Sequence, residues 1–139
     1  MIDPEVSVVR EIRIAAPPEV VFRFLTDPER HSRWMGVRAQ LDPQPGGVHR
    51  VEYAGGAVAR GEFLEVSPPH RVVFTWGWEG DEATIRPGAS RVEIDLSPDG
   101  TGTLLRLVHS GLVDATETEG HRKGWDQFLP ELAREAAAG

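Results

Sequence analysis

The clearest periodic pattern in the chain is an amphipathic stretch near its end, from Asp114 to Ala137. Every fourth residue there faces the same way if the stretch is helical. The residues at that spacing are His121, Trp125, Leu129 and Ala133, with Phe128 and Leu132 beside them. Most charged residues of the stretch, Glu117 among them, fall elsewhere and suit a solvated face. The pattern predicts one long C-terminal helix with an apolar, aromatic face.

Two residues inside this predicted helix oppose a regular helix. Gly124 costs about 1 kcal/mol relative to alanine, and Pro130 removes a backbone hydrogen bond, so we expect a kink or a break near Asp126. Gly124 has two interpretations. It is either a tolerated interior glycine, or the point next to Trp125 where another backbone or a ligand approaches closely.

Over much of the rest of the chain, apolar and polar residues alternate with a period of two, which is typical of strands. Val6 to Ile14 alternates like a half-buried edge strand. Two short helices follow, the first opened by Pro17-Pro18 and the second by Asp27-Pro28, with Asp27 as its N-cap. Further strands are predicted over residues 37–41, 48–54, 57–66, 71–79, 90–96 and 103–110. Turns rich in Gly and Pro join them, including one at residues 97–100 and a polar loop at 80–89.

Consecutive hairpins of this kind form an antiparallel sheet. A sheet with one apolar face must bury that face, and the C-terminal helix is the only element long enough to cover it. We therefore predict a single α+β domain over residues 1–139 with a helix-grip fold. In this fold a curved antiparallel sheet of about seven strands wraps around the long C-terminal helix, and two short helices follow the first strand.

Composition narrows the classes of partner. The chain carries 22 acidic and 15 basic residues and a net charge of −7, which argues against nucleic acid and against an anionic membrane surface. No apolar run approaches the roughly 20 residues that span a bilayer. The chain contains no cysteine, which excludes disulfides and thiolate chemistry and fits the reducing cytoplasm, where we expect the protein.

Aromatic residues on the predicted strands and helix suggest a binding site. Phe74, Trp76 and Trp78 alternate along one strand and share a face. If that face and the face carrying His109 both point inward, they meet Trp125 of the helix. The predicted ligand-binding residues are Trp34, Phe74, Trp76, Trp78, His109 and Trp125. Either these side chains line a pocket for a small hydrophobic or aromatic molecule, or they fill the core.

Other chemistry has weaker support. His109 and His121 are candidates for acid–base work, but the alternative is a hydrogen-bonded core His109 and a His121 at the surface or rim. The five histidines show no metal-ligand spacing, and no phosphate loop or nucleophile elbow is present. We therefore predict no metal and no cofactor. Most charges on the strands, which include Arg60, Glu62, Glu93 and Asp95, are expected to face solvent. One that faced inward would become a catalytic candidate.

The chain also resembles a known family over nearly its whole length. The residues that carry the resemblance are Pro18–Phe22, Leu25–Glu29, Trp34, Gly61–Val66, Pro68-Pro69, Arg71–Trp76, Gly102–Leu105, His109–Gly111 and Gly124-Trp125. Together they are similar to the START-like, or SRPBCC, superfamily, in the branch of the C-terminal domain of the heat-shock-protein-90 ATPase activator. The resemblance implies the helix-grip fold and a cavity between sheet and helix, where many members bind apolar molecules.

Three functions follow as hypotheses. The first is binding of a small apolar or aromatic ligand in the cavity. The second is an enzyme of cyclase or hydrolase type in the same cavity, with His109 and an inward carboxylate as acid and base. The third is a chaperone-regulating interaction module, which the resemblance suggests. A homodimer is possible through an exposed edge strand, either Val6–Ile14 or Ser90–Leu96.

Overall fold

The computed structural model describes residues 2–139. The elements of this part of the chain are, in order, β1 (Val8–Ile14), α1 (Pro18–Thr26), α2 (Pro28–His31), β2 (Arg38–Leu41), β3 (Val48–Glu52), β4 (Val58–Ser67), β5 (Arg71–Trp76), β6 (Ser90–Asp99), β7 (Gly102–Ser110) and α3 (Ala115–Ala138). No helix among them is long and apolar enough to cross a membrane.

The strands form one antiparallel sheet in the order β1-β7-β6-β5-β4-β3-β2. The sheet curves around α3, and the two short helices follow β1, so the predicted α+β helix-grip fold is confirmed. β1 lies at one edge of the sheet, as its alternating pattern predicted. The suggestion that Ser90–Leu96 forms an exposed edge is wrong, because β6 lies between β5 and β7.

Two strand boundaries differ from the prediction because tertiary pairing overrides local turn residues. β5 ends at Trp76, and Trp78 beyond it keeps only an isolated bridge to Ala59. β6 continues through the turn predicted at residues 97–100 and ends at Asp99. Its last residues pair with the start of β7, so the hairpin is longer and its turn tighter than the local sequence indicated.

The long helix α3 begins where the Asp114 carboxylate accepts a hydrogen bond from the backbone N–H of Glu117 at 2.8 Å. It continues as one helix through Pro130, so the predicted break near Asp126 is wrong. Pro130 and Asp126 both lie on the exposed side. Water can therefore satisfy the carbonyl that loses its helical partner. Residues buried along α3 are Thr118, Trp125, Leu129, Leu132 and Ala136.

The two short helices close one end of the curved sheet. α1 packs on β6, β7 and α3, and it buries Phe24 and Leu25 completely or nearly so. Asp27 occupies the N-cap position of α2 as predicted, but its side chain makes no capping bond to the backbone. The carboxylate instead accepts a hydrogen bond from Arg30 at 2.5 Å.

Two histidines lie in the core without hydrogen-bond partners. His31 and His49 are 2% and 1% exposed, and their ring centroids are 5.7 Å apart. His49 also stacks on Phe74 with centroids 3.8 Å apart. No group within residues 2–139 bonds Nδ1 of His31 or either ring nitrogen of His49. Burial lowers the pKa of His31 to about 4 and holds the pKa of His49 well below its usual value, so both rings are neutral at pH 7.

We predict from these histidines that the protein loses stability as the pH falls from 6.5 toward about 4. In this window the unfolded chain binds protons that the folded core excludes, so the free energy of unfolding decreases. For His31 alone the loss amounts to about 3 kcal/mol. Urea denaturation at pH 7.5, 6 and 5 measures the free energy of unfolding in this window.

His49→Phe keeps the ring stack and should flatten the dependence of the unfolding free energy on pH. His70 is exposed, so His70→Gln should leave that dependence unchanged. Equal slopes in both variants would contradict the prediction.

The link between β7 and α3 is strained at Val113. Its φ of +73° lies in a region that β-branched residues rarely occupy. The N–H of Asp114 donates to the carbonyl of Leu112 at 2.8 Å, which closes a γ-turn of the uncommon positive-φ kind. The Val113 side chain is 55% exposed, so buried contacts do not compensate for the strain.

We predict that Val113→Gly stabilises the protein by about 1 kcal/mol. Relief of roughly 1–3 kcal/mol of backbone strain exceeds the roughly 0.5–1 kcal/mol entropic cost of glycine. Val37, 62% exposed and without a positive φ, provides the matched control. Val37→Gly should be destabilising. Chemical denaturation of the two variants separates the effects, and a loss of stability in both would refute the strain.

Candidate functional site

A cavity of about 410 Å³ lies between α3 and the sheet. Its wall is formed by Met35, Tyr53, Trp76, Trp78, Glu117, Gly120, His121, Gly124, Trp125 and Phe128. More than half of these residues come from α3, where they recur at intervals of three or four and therefore share one helical face. The opposite wall comes from Met35, from Tyr53 directly after β3, and from Trp76 and Trp78 at and beyond the end of β5.

The aromatic rings of the wall hold one another in place. The ring centroid of Trp76 lies 5.5 Å from that of Trp78 and 6.0 Å from that of Trp125. Tyr53 extends the cluster, with centroids 5.5 Å from Trp78 and 5.9 Å from Phe128. These separations are typical of edge-to-face and tilted aromatic pairs. Because most of the rings touch two others, the wall is rigid.

A hydrogen bond joins the sheet side of the cavity to the helix side. The indole Nε1–H of Trp78 donates to Nε2 of His121 at 3.1 Å. An indole nitrogen can only donate, so Nε2 of His121 carries no proton. Nδ1 then carries the proton and donates to the carbonyl of Glu117 at 2.7 Å. The two bonds together fix the orientation and the tautomer of the His121 ring.

A second hydrogen-bonded chain runs beneath the cavity. The indole Nε1–H of Trp125 donates to Nδ1 of His109 at 3.0 Å. The Ser90 hydroxyl gives its only proton to the carbonyl of Trp76 at 2.8 Å. Its oxygen must therefore accept from Nε2 of His109, which lies 2.9 Å away. Every donor in this chain has an assigned acceptor, and His109 is held as one neutral tautomer.

This geometry bears on the predicted acid–base pair. The rings of His109 and His121 lie 5.2 Å apart, but all four of their nitrogens are bonded to other groups. Burial, and secondarily the neighbouring His121, hold the pKa of His109 well below its usual value. The arrangement matches the alternative of a hydrogen-bonded core His109 and a His121 at the cavity rim.

The charged strand residues lie away from His109. Glu93 and Asp95 accept hydrogen bonds from Arg71 at 2.7 and 2.8 Å, on the face of β6 opposite its buried apolar residues. Arg60 and Glu62 are exposed. None of these four charges faces inward beside His109, so the carboxylate that the enzyme hypothesis required is not among them.

The structure brings some of the predicted ligand-binding residues together and separates others. Trp76, Trp78 and Trp125 line the cavity. His109 is 0% exposed and lies behind the ring of Trp125, so it contacts the wall rather than the cavity. The three tryptophans come together because β5 and its extension alternate and because Trp125 faces them from α3.

Trp34 and Phe74 do not line the cavity. The Nε1–H of Trp34 donates to the carbonyl of Phe24 at 2.9 Å, in the part of the core under α1 and α2. Phe74 shares a face with Trp76 but lies two residues earlier on β5, where its ring is stacked on that of His49. Of the six residues predicted to bind a ligand, three therefore line this cavity and three do not.

Sequence reasoning did not single out Met35, Tyr53, Gly120, Glu117 or Phe128 as site residues. Glu117 was assigned to the solvated face, but it is half-buried at the cavity. The spacing of four between Gly120 and Gly124 was the available signal for the helix side. Nothing within 4 Å would meet a Cβ at either glycine, so both leave open space. No such local signal marked Tyr53.

One polar group of the wall has no partner. Trp76 is 2% exposed, and its Nε1–H bonds to nothing within residues 2–139. An unsatisfied buried donor costs about 1–3 kcal/mol.

Within residues 2–139, no three His, Asp or Glu side chains come close enough together to hold a metal ion.

Comparison with known proteins identifies relatives of similar architecture. The family model described as Activator of Hsp90 ATPase homolog 1-like protein matches residues 15–137. An AHSA1-like protein from Rhizobium etli is 49% identical, with a TM-score of 0.74 over 94% of this chain and 81% of that one. A protein from Mesorhizobium loti is 30% identical, with a TM-score of 0.83 over 93% and 95%. An HSP90 activator from Plasmodium falciparum is 26% identical, with a TM-score of 0.73 over 91% and 93%. No curated protein matches the chain.

We predict that His109→Leu destabilises the protein by about 1–3 kcal/mol, because it leaves the buried N–H of Trp125 without an acceptor. Trp125→Phe removes that donor and provides the second arm of a double-mutant cycle. The cost of His109→Leu should fall by about 1 kcal/mol in the Trp125→Phe background. Urea denaturation of the native protein, the two single variants and the double variant measures the coupling energy between the two side chains. Strictly additive losses of stability would show that the bond contributes nothing.

Proposed function

Since the chain belongs to the family of Activator of Hsp90 ATPase homolog 1-like proteins, we propose that it binds a small apolar or aromatic molecule in the cavity between α3 and the sheet. The observation that carries this proposal is the cavity itself. Its volume of about 410 Å³ falls within the range of roughly 300–1,000 Å³ that is typical of ligand pockets. Its wall is mainly aromatic with few polar groups, which is also typical of such pockets.

The two glycines of the helix wall support this function. Gly120 and Gly124 each weaken α3 by about 1 kcal/mol relative to alanine. Neither is needed for close packing against the protein itself, because a Cβ at either position would meet nothing within 4 Å. Their effect is to leave the helix backbone accessible from the cavity, so that a flat ring can lie against it.

Regulation of a chaperone is a second candidate function. The likeness to the HSP90 activator of Plasmodium falciparum favours it. The two functions use different parts of the molecule, because a chaperone would contact the outer surface, whereas a small ligand enters the cavity. Stimulation of Hsp90 ATPase turnover that persists when the cavity is filled would favour the chaperone function.

We predict that Gly124→Leu abolishes ligand binding without destabilising the fold. The leucine side chain enters open space in the cavity, and leucine is a better helix former than glycine by roughly 0.5–1 kcal/mol. The neutral fluorescent probe N-phenyl-1-naphthylamine should bind the native protein and lose affinity at least about tenfold in this variant.

Lys123→Leu is the matched control for this experiment. Lys123 is exposed and adjoins Gly124 in the helix, but it does not line the cavity. The probe should bind this variant as tightly as it binds the native protein, and thermal unfolding should show all three proteins folded. Unchanged probe affinity in Gly124→Leu would overturn the proposed cavity function.

A further inference from the structure

We infer that the cavity selects organic cations, with Glu117 as counter-ion and the surrounding aromatic rings as a cage. This inference rests on the proposed function and names the class of ligand for the same site. Three observations support it: the charge on the cavity wall, the state of the Glu117 carboxylate, and the arrangement of the aromatic rings around Trp78.

The wall carries a single formal charge, which is negative. Of the residues that line the cavity, Glu117 alone carries a carboxylate, and none is Lys or Arg. Tyr53 and His121 are the other titratable side chains of the wall. Nε2 of His121 accepts the bond from Trp78 and its Nδ1 donates to the carbonyl of Glu117, so both ring nitrogens have partners within the protein.

The Glu117 carboxylate is available to a ligand. The ion pairs found within residues 2–139 do not include it. Other acidic residues of α3 are paired: Glu119 binds Arg122, Glu131 binds Arg134, and Asp126 binds Arg10. Glu117 is half-buried at the cavity, where an opposite charge interacts more strongly than it does in open solvent.

Trp78 connects the aromatic rings of the wall to the part of α3 that carries Glu117. Its indole bonds His121, which lies one helical turn from Glu117. Tyr53 is inclined to Trp78 by 41°, and Trp76 stands at 87° to Trp78. A ring face is the negative part of the aromatic quadrupole, so a cation that contacts a face is attracted. Contacts of a cation with such faces increase affinity by about two- to thirtyfold.

An anionic ligand is disfavoured by the same geometry. The first turn of α3 does offer a positive helix end, but Asp114 already accepts the N–H of Glu117 there. Glu117 lies in the same first turn, so an anion near the helix end would also meet its carboxylate. An anion in the cavity would meet one carboxylate and no cationic side chain of the wall.

Three probes of the same shape and different charge test the inference. Benzyltrimethylammonium is a cation, neopentylbenzene is its neutral isostere, and benzylsulfonate is an anion with a similar tetrahedral head. We expect the cation to bind about tenfold more tightly than the neutral isostere, and the anion to bind most weakly. Isothermal titration calorimetry on the purified native protein gives the three dissociation constants.

The outcomes separate the inference from the proposed function. A neutral isostere that binds as tightly as the cation overturns cation selectivity and leaves the proposed function standing. If none of the three binds but N-phenyl-1-naphthylamine does, the inference alone fails. If that neutral probe also fails to bind, both the inference and the proposed function are overturned.

Two glutamate variants test the counter-ion. Glu117→Gln keeps the shape of the side chain and should reduce the ratio of cation to neutral affinity by about fivefold. Glu119→Gln removes an equal charge from the exposed side of α3 and should leave the ratio unchanged. An equal reduction in both variants would mean that the net charge of the protein, rather than a local counter-ion, attracts the cation, and it would overturn the role of Glu117.

Discussion

The hydrogen bond from Trp125 to His109 is the interaction on which the cavity depends. It joins the middle of α3 to β7, with both side chains almost completely buried. Because Nδ1 of His109 accepts this bond, the ring proton is on Nε2. Nε2–H donates to the Ser90 hydroxyl, and that hydroxyl donates to the carbonyl of Trp76. A buried chain in which every donor has an acceptor specifies one arrangement, because any alternative leaves a polar group unsatisfied.

The fixed position of Trp125 explains how an aromatic cavity stays open. Large apolar side chains usually pack until no void remains. Here Trp125 is held from behind by His109, and Trp78 is held at its edge by His121, so neither indole can turn into the space. Gly120 and Gly124 add no side chain on the α3 side of the cavity, so the space there stays open. The two histidines serve as hydrogen-bond partners that position the wall.

The sequence was sufficient to predict the architecture, since a period of two along the strands and a period near four along α3 are local signals. Alternation also placed Trp76 and Trp78 on one face and opposed them to Trp125. It could not separate Phe74 from Trp76, because both share that face and only the curvature of the sheet decides which one reaches the cavity. Whether Tyr53 reaches the cavity also depends on the curvature of the sheet, so the sequence could not indicate it. The position of Glu117 could not be predicted, because helical periodicity does not distinguish a carboxylate at a cavity from one in solvent.

The most direct test of the cavity as a binding site is the set of intermolecular nuclear Overhauser effects in the complex with N-phenyl-1-naphthylamine. The four tryptophans provide separate reporters, because Trp76, Trp78 and Trp125 line the cavity and Trp34 is buried under the short helices. Binding in the cavity should give cross-peaks from the probe to Trp78, Trp125 and Phe128, and none to Trp34. Cross-peaks confined to Trp34 or to surface residues would contradict it.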